Sequence, residues 1–427
     1  MSENQQNWTE TYEFVEGFRA SGPAHLQKVG VLKTGPADAR RVLVLLGGRE
    51  GAAGVFRHTA RSLAQAADDL QVWAVDPREQ NLADLSAFAG SPEQATEYYL
   101  GGHYQVQQAS DSLFAAHWGL EVLLEDVRRV VLAASDGGRR DVVLGGVSVG
   151  ASAALLYAAW DFDGAPGYRD LAGLAVVDGG VHNAYAGAGM EFALPLEAAK
   201  GWLGAIESGA VFENFTSSTL SLGDQPESAA IWFQLAAQHA LADPDAPAVL
   251  ADQLPEAVRT DRKLTNAGLL GWLVDAQHVH PSYSVHAGRL EDTGAWVNDG
   301  HTDLKTVVEA FAGPRPGAWV WYTLNRVMLD LVAAIDFAET DVTRMLGLRL
   351  PHGRAIDVPL YTFQSGLTNG TTGQAAATVT ANSRIPEMSL HADNALTHQD
   401  VVYARWEDNR FLQTLSQFLR ELPRRAH

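Results

Sequence analysis

The chain has 427 residues, 46% of them hydrophobic, with a formal net charge of −20 and no cysteine. That length holds one large domain with an insertion, or two or three small ones. The acidic balance excludes nucleic acid and anionic membrane surfaces as partners and favours a neutral or apolar substrate. The missing cysteine excludes disulfides, thiolate metal sites and a cysteine nucleophile.

The start, MSENQQNWTETYEF, has neither a basic region nor an apolar core, so no signal peptide is expected. No run approaches the ~18 apolar residues that span a bilayer. The expectation is a soluble, cytoplasmic chain, or a secreted one whose leader has been removed.

Tyr12–Arg19 and Leu26–Lys33 alternate apolar and polar residues, as half-buried strands do. Arg41–Leu46 (RVLVLL) is continuously apolar, as a strand buried on both faces would be. It ends in the glycine-rich turn Gly47-Gly48-Arg49-Glu50-Gly51. A helix is expected over Phe56–Ala67 and a buried strand over Leu70–Val75. Residues 78–116 form an excursion with patchy helical character. Leu120–Ala134 has apolar residues at helical spacing, with Glu125 and Arg129 paired at i, i+4.

Asp141–Trp160 (DVVLGGVSVGASAALLYAAW) carries the most chemistry. An apolar β-branched run enters Gly146-Val147-Ser148-Val149-Gly150, and a small-residue helix leaves it. A strand, a sharp turn with serine at its apex and a helix make the pattern of a nucleophile elbow. Side chains two residues from the serine would strike the adjoining strand and helix, which explains the glycines. The helix N-terminus favours negative charge beside the serine, and the Val149 N–H is one candidate oxyanion donor. A strand over Leu171–Val177 follows, ending in Asp178-Gly179-Gly180. Strands and helices alternating from 41 to 178 predict a mostly parallel α/β sheet.

From 181 to 350 helices dominate: Leu194–Ser208, Ser228–Ala242, Leu264–Ala276, Leu304–Phe311 and Trp319–Leu346. Strands then resume at Val358–Phe363 and Ile385–Leu390, and a last helix spans Asn409–Leu422.

With these landmarks the chain resembles the α/β-hydrolase fold. The resemblance rests on RVLVLLGG, LQVWAVD, GVSVG, LAGLAVVDGG, VPLYTF and the THQD segment near the end. It implies an eight-stranded, mostly parallel sheet with a helical lid inserted after the sixth strand. The expected organisation is a core of residues 1–180 and 351–427 with a lid domain of residues 181–350. The resemblance also implies a histidine between the last strand and the last helix. His398 occupies that loop, and His391, at the end of the predicted last strand, is its competitor.

The acid of many such proteins follows the seventh strand. Here no Asp or Glu occurs from Tyr361 to Pro386. Haloalkane dehalogenases carry their acid after the sixth strand, and Asp178 stands there in this chain. Ser148, Asp178 and His398 then follow the order nucleophile, acid, base. Asp393 and Asp400 are the alternative acids. A second oxyanion donor is expected from the N–H of Gly48 or Arg49.

The histidines His278, His280 and His286 lack an acidic ligand at a recognised motif spacing, so no metal is expected. No cofactor is implied. The expected activity is hydrolysis of a carboxylic ester or lactone of a moderately large apolar substrate, since the insertion is rich in aromatic residues. An amidase or peptidase, a cofactor-free haloperoxidase or transferase, and a silent binding protein on the same scaffold are the rivals. Dehalogenation is disfavoured because it needs a carboxylate where Ser148 stands.

Overall fold

Eight strands hydrogen-bond into one sheet in the computed structural model, which describes residues 8–424. In chain order they are β1 (Trp8–Glu16), β2 (Lys28–Pro36), β3 (Arg41–Leu46), β4 (Leu70–Asp76), β5 (Asp141–Val147), β6 (Gly173–Val177), β7 (Leu360–Ser365) and β8 (Met388–Asp393). Their order across the sheet is β1-β2-β4-β3-β5-β6-β7-β8. β1 and β2 pair antiparallel, as do β2 and β4, and every other neighbour pair is parallel. Residues 1–7 and 425–427, which the expected core boundaries take in, lie outside the described residues.

The continuous apolar runs have their cause in burial on two sides. In β3, Val42, Val44 and Leu46 join the core on one face, and Leu43 and Leu45 join the other. Helices α3 (Leu120–Ser135) and α4 (Val149–Ala159) cover the first face, while α1 (Arg57–Ala66) and α14 (Arg410–Glu421) cover the second. A further helix, α2 (Pro92–Leu100), lies in the excursion after β4 and is opened by a Ser91 capping box.

Between β6 and β7 the chain builds α5 (Leu196–Glu207), α6 (Phe215–Thr219), α7 (Ser228–Ala242), α8 (Asn266–Val274), α9 (Leu304–Phe311), α10 (Asn325–Ala334) and α11 (Asp341–Leu346). Its side chains, among them Trp232, Leu269 and Phe311, run without a break into the apolar cluster of the second sheet face. The helix expected over Trp319–Leu346 is not one element. Residues 317–320 lie extended along the turn after β3, with Ala52 N–H donating to Ala318 O and Val320 N–H to Glu50 O. Phe337 then breaks the helix with φ 53°, and a Thr340 capping box starts α11 afresh.

The strands expected at Tyr12–Arg19, Leu26–Lys33, Val358–Phe363 and Ile385–Leu390 lie two to four residues from their observed places. The shift brings His391 inside β8 and makes Ser365 the last residue of β7. After β7 comes α12 (Thr371–Ala381), which the apolar spacing does not announce. Its sequence, TTGQAAATVTA, buries Ala375, Ala376 and Val379 among small residues, so the apolar stripe is faint. The short helix α13 (Asp400–Tyr403) precedes α14. No helix among the described residues is long and apolar enough to cross a membrane.

Candidate active site

Ser148 and Asp178 are brought side by side by strand register. Val147 pairs with Val177, and Val177 pairs with Phe363. The ladder then continues one step past the strand ends: Ser148 N–H donates to Val177 O at 2.8 Å, and Asp178 N–H to Phe363 O at 3.0 Å. Both residues leave their strands in the left-handed region, Ser148 at φ 56° and Asp178 at φ 47°. Such backbone strain persists only where the surroundings enforce it.

The surroundings of the elbow do enforce it. A Cβ on Gly146 would lie 2.1 Å from Gly150 O, and one on Gly150 would lie 2.3 Å from Leu46 O. No side chain fits either position. Tyr185 adds a brace from below, its hydroxyl donating to Ser148 O at 2.9 Å. The Tyr185 hydroxyl also lies 2.6 Å from Ser152 Oγ, and burial pushes the phenol up to about 12. Ser148 and Val149 themselves are only half-buried, although the strand before them is fully covered.

Asp178 is fully buried and meets His398 with Oδ2 at 3.0 Å from Nδ1. Ser365 completes the carboxylate. Its N–H donates to Asp178 Oδ1 at 2.6 Å, and its hydroxyl donates to Oδ2. The other carboxylates considered are engaged elsewhere. Asp393 accepts from Ala395 N–H at 3.0 Å, and Asp400 is bound to His286. His391 contacts Ser389 in β8 at 2.9 Å and does not join this group.

Gly48 lies against Ser148: a Cβ there would stand 3.2 Å from Ser148 Cβ and 3.7 Å from Ser148 Oγ. The turn after β3 thus passes directly beside Ser148. Val149 N–H belongs to the first turn of α4, where backbone donors have no intrahelical acceptor.

The residues after Gly48 give this wall charge. Arg49 Nη1 lies 3.2 Å from Glu213 Oε2, and its guanidinium stacks over Phe215 at 4.5 Å. Glu50 accepts from the Thr216 hydroxyl. Burial pushes Glu213 up to about 7, with Arg49 opposing the shift and Glu50 adding to it. Burial raises Glu50 as well, against the Thr216 hydrogen bond and Arg49. On the other side, the Tyr283 ring meets the His398 ring edge to face, with centroids 5.4 Å apart.

The three insertion histidines do not converge. His278 stacks on Trp272, His280 Nδ1 accepts from Ser282 N–H, and His286 pairs with Asp400. Sequence reasoning did not single out Ser365, Tyr185 or Glu213 as members of the site. Ser365 carried no legible sign, since the expected strand ended two residues earlier, at Phe363.

This sheet order, with a serine elbow after the fifth strand, is that of the α/β-hydrolase fold, and the chain has that fold. A Sulfolobus solfataricus protein provisionally described as a lipase is similar over 98% of this chain and 95% of its own, at 14% identity and a TM-score of 0.54. Epoxide hydrolase A from Mycobacterium thermoresistibile matches over 98% of this chain and 100% of its own, at 13% identity and a TM-score of 0.45. A soluble variant of the Saccharomyces cerevisiae monoglyceride lipase matches over 99% and 97%, at 11% identity and a TM-score of 0.45. No family model and no curated protein sequence matches the chain.

Proposed function

We propose that this chain is a serine hydrolase that cleaves a carboxylic ester or lactone through an acyl-enzyme. The observation that carries the reading is the 3.0 Å contact of His398 Nδ1 with Asp178, beside a strained serine elbow. Ser148 attacks the carbonyl as His398 takes its proton at Nε2. Asp178 holds the other ring nitrogen, fixes the tautomer and stabilises the imidazolium. The N–H groups of Val149 and of Gly48 or Arg49 receive the oxyanion. His398 then protonates the leaving group, and water resolves the acyl-enzyme. The sequence needs no cofactor.

The insertion serves as a lid that binds the substrate. Phe215 and Tyr283 suit an apolar portion, and the Arg49–Glu213 pair suits a polar group on the same molecule. The Sulfolobus protein's description as a lipase accords with this reaction class.

The test is labelling with a fluorophosphonate, read by mass spectrometry, alongside a panel of chromogenic esters, lactones and anilides. Ser148 is the expected labelled residue, and Ser148→Ala abolishes labelling and turnover while the protein stays folded. Turnover that persists in Ser148→Ala defeats the reading. Faster anilide than ester cleavage assigns the amidase class instead.

A further inference from the structure

Asp400 stands two residues beyond His398 and takes no part in the chemistry proposed above. It is nevertheless fully buried and saturated with hydrogen bonds. Its Oδ1 accepts from His286 N–H at 2.9 Å and from the Thr302 hydroxyl at 3.1 Å. Its Oδ2 lies 3.0 Å from His286 Nδ1 and accepts from Thr397 N–H at 3.2 Å. Two of these donors belong to His286 and one to Thr302, both in the insertion. The fourth is the residue just before His398.

The neighbouring bonds repeat the pattern. His398 N–H donates to Ser282 O at 2.9 Å, and the Thr397 hydroxyl donates to Ser284 O at 2.6 Å. Alternate insertion residues, 282, 284 and 286, therefore grip 398, 397 and 400 in turn. Tyr283 lies between the first two grips, and its ring is the one packed on His398. Asp400 is buried while the His286 ring beside it is half-exposed, so removing the ring takes a donor from a buried acceptor, which is costly.

The geometry points to a second Asp–His pair, Asp400 with His286, that positions His398 and Tyr283 as one unit. Neither member touches the reacting atoms, so both are positioning residues. The segment 280–302 is thereby a fixed wall of the site at the His398 loop, where a lid would be free to lift. This rests on the serine hydrolase reading only for the consequence it predicts in catalysis.

The charges about His286 agree. The groups facing it are Asp400, Asp275 after α8, and His301, whose ring centroid is 6.0 Å away. The hydrogen bond with Asp400 raises His286 above its ordinary range. Burial works to raise Asp400, but the bonds from His286 and Thr397 outweigh it and hold the carboxyl low.

The experiment compares His286→Leu, His286→Asn and Asp400→Asn with the wild-type chain. Asparagine can place an amide donor near the position of Nδ1, and leucine cannot. The readouts are the rate of fluorophosphonate labelling, kcat and KM on one ester, thermal unfolding, and hydrogen exchange by mass spectrometry. His286→Leu is expected to slow labelling and kcat by about 10- to 100-fold, the scale of a misplaced catalytic group, with a folded protein. His286→Asn recovers most of that loss. Deuterium uptake in His286→Leu rises together in residues 280–286 and 395–403.

A wild-type labelling rate in His286→Leu overturns the proposal, as does uptake that rises in one segment alone. If Asp400→Asn does not fold, the His286 pair of variants carries the decision. If the wild-type chain itself is not labelled, the hydrolase reading fails. The exchange measurement still decides whether the pair joins the two segments.

Discussion

Ser365 donates to both carboxylate oxygens of Asp178, through its backbone N–H to one and its hydroxyl to the other. It ends β7, next to the place where the resemblance expects the acid. The seventh strand thus supplies the support for an acid that the sixth strand carries.

This predicts a graded series. Asp178→Asn lowers kcat by about 10⁴-fold, because the wrong tautomer is then favoured at His398. Ser365→Ala removes one hydrogen bond to a buried charge and costs about 1.5–3 kcal/mol of stability. Asp393→Asn changes neither, since Asp393 only holds the turn at Ala395. Purified variants assayed on one chromogenic ester, with unfolding curves, check all three. Loss of activity in Asp393→Asn at wild-type stability would reassign the acid.

The elbow predicts a steric contrast between two glycines. A Cβ at residue 146 meets backbone at 2.1 Å, which cannot yield, so Gly146→Ala unfolds the chain or destabilises it by at least ~3 kcal/mol. A Cβ at residue 48 meets Ser148 Cβ at 3.2 Å, a clash of a few tenths of an ångström. Gly48→Ala is expected to fold and, on the proposed mechanism, to lose kcat, because the turn after β3 and Ser148 are pushed apart. Circular dichroism separates the folding defect from the catalytic one.

Glu213 predicts a pH dependence of stability. Its folded value, about 7, lies above the ordinary 4.5. Between these values the folded chain binds more protons than the unfolded chain, so stability falls as pH rises. The contribution is complete below pH 4.5 and lost once pH has passed through about 7. Glu213→Gln lacks this loss, so its Tm relative to wild type climbs across that window and then levels. A Tm difference that stays flat from pH 4.5 to 7 contradicts the assignment.

Much of this site was legible before the structure. The elbow, the eight strands of the sheet to within four residues, and the His398 loop all show as local patterns. The broken helix at Phe337 and the small-residue helix α12 were not legible, because neither boundary depends on apolar periodicity. The charged wall of Arg49, Glu50 and Glu213 was hidden for a different reason. Glu213 lies far along the chain from Arg49, and only the packing of the insertion onto the turn after β3 brings them to 3.2 Å.

The sequence by itself determined the backbone setting of Ser148, since glycine spacing and strand-to-helix sterics act within a few residues of it. It also determined that the position after the seventh strand holds no acid. Only the tertiary structure decided which carboxylate meets His398. Asp178 and His398 are 220 residues apart, and their contact depends on sheet register and on how the last loop is held. It also decided the part played by Asp400, which in sequence stands closer to His398 yet faces His286. Proximity along a chain says little about where a buried carboxylate finds its donors, because each must be satisfied by whatever the packed fold brings to it.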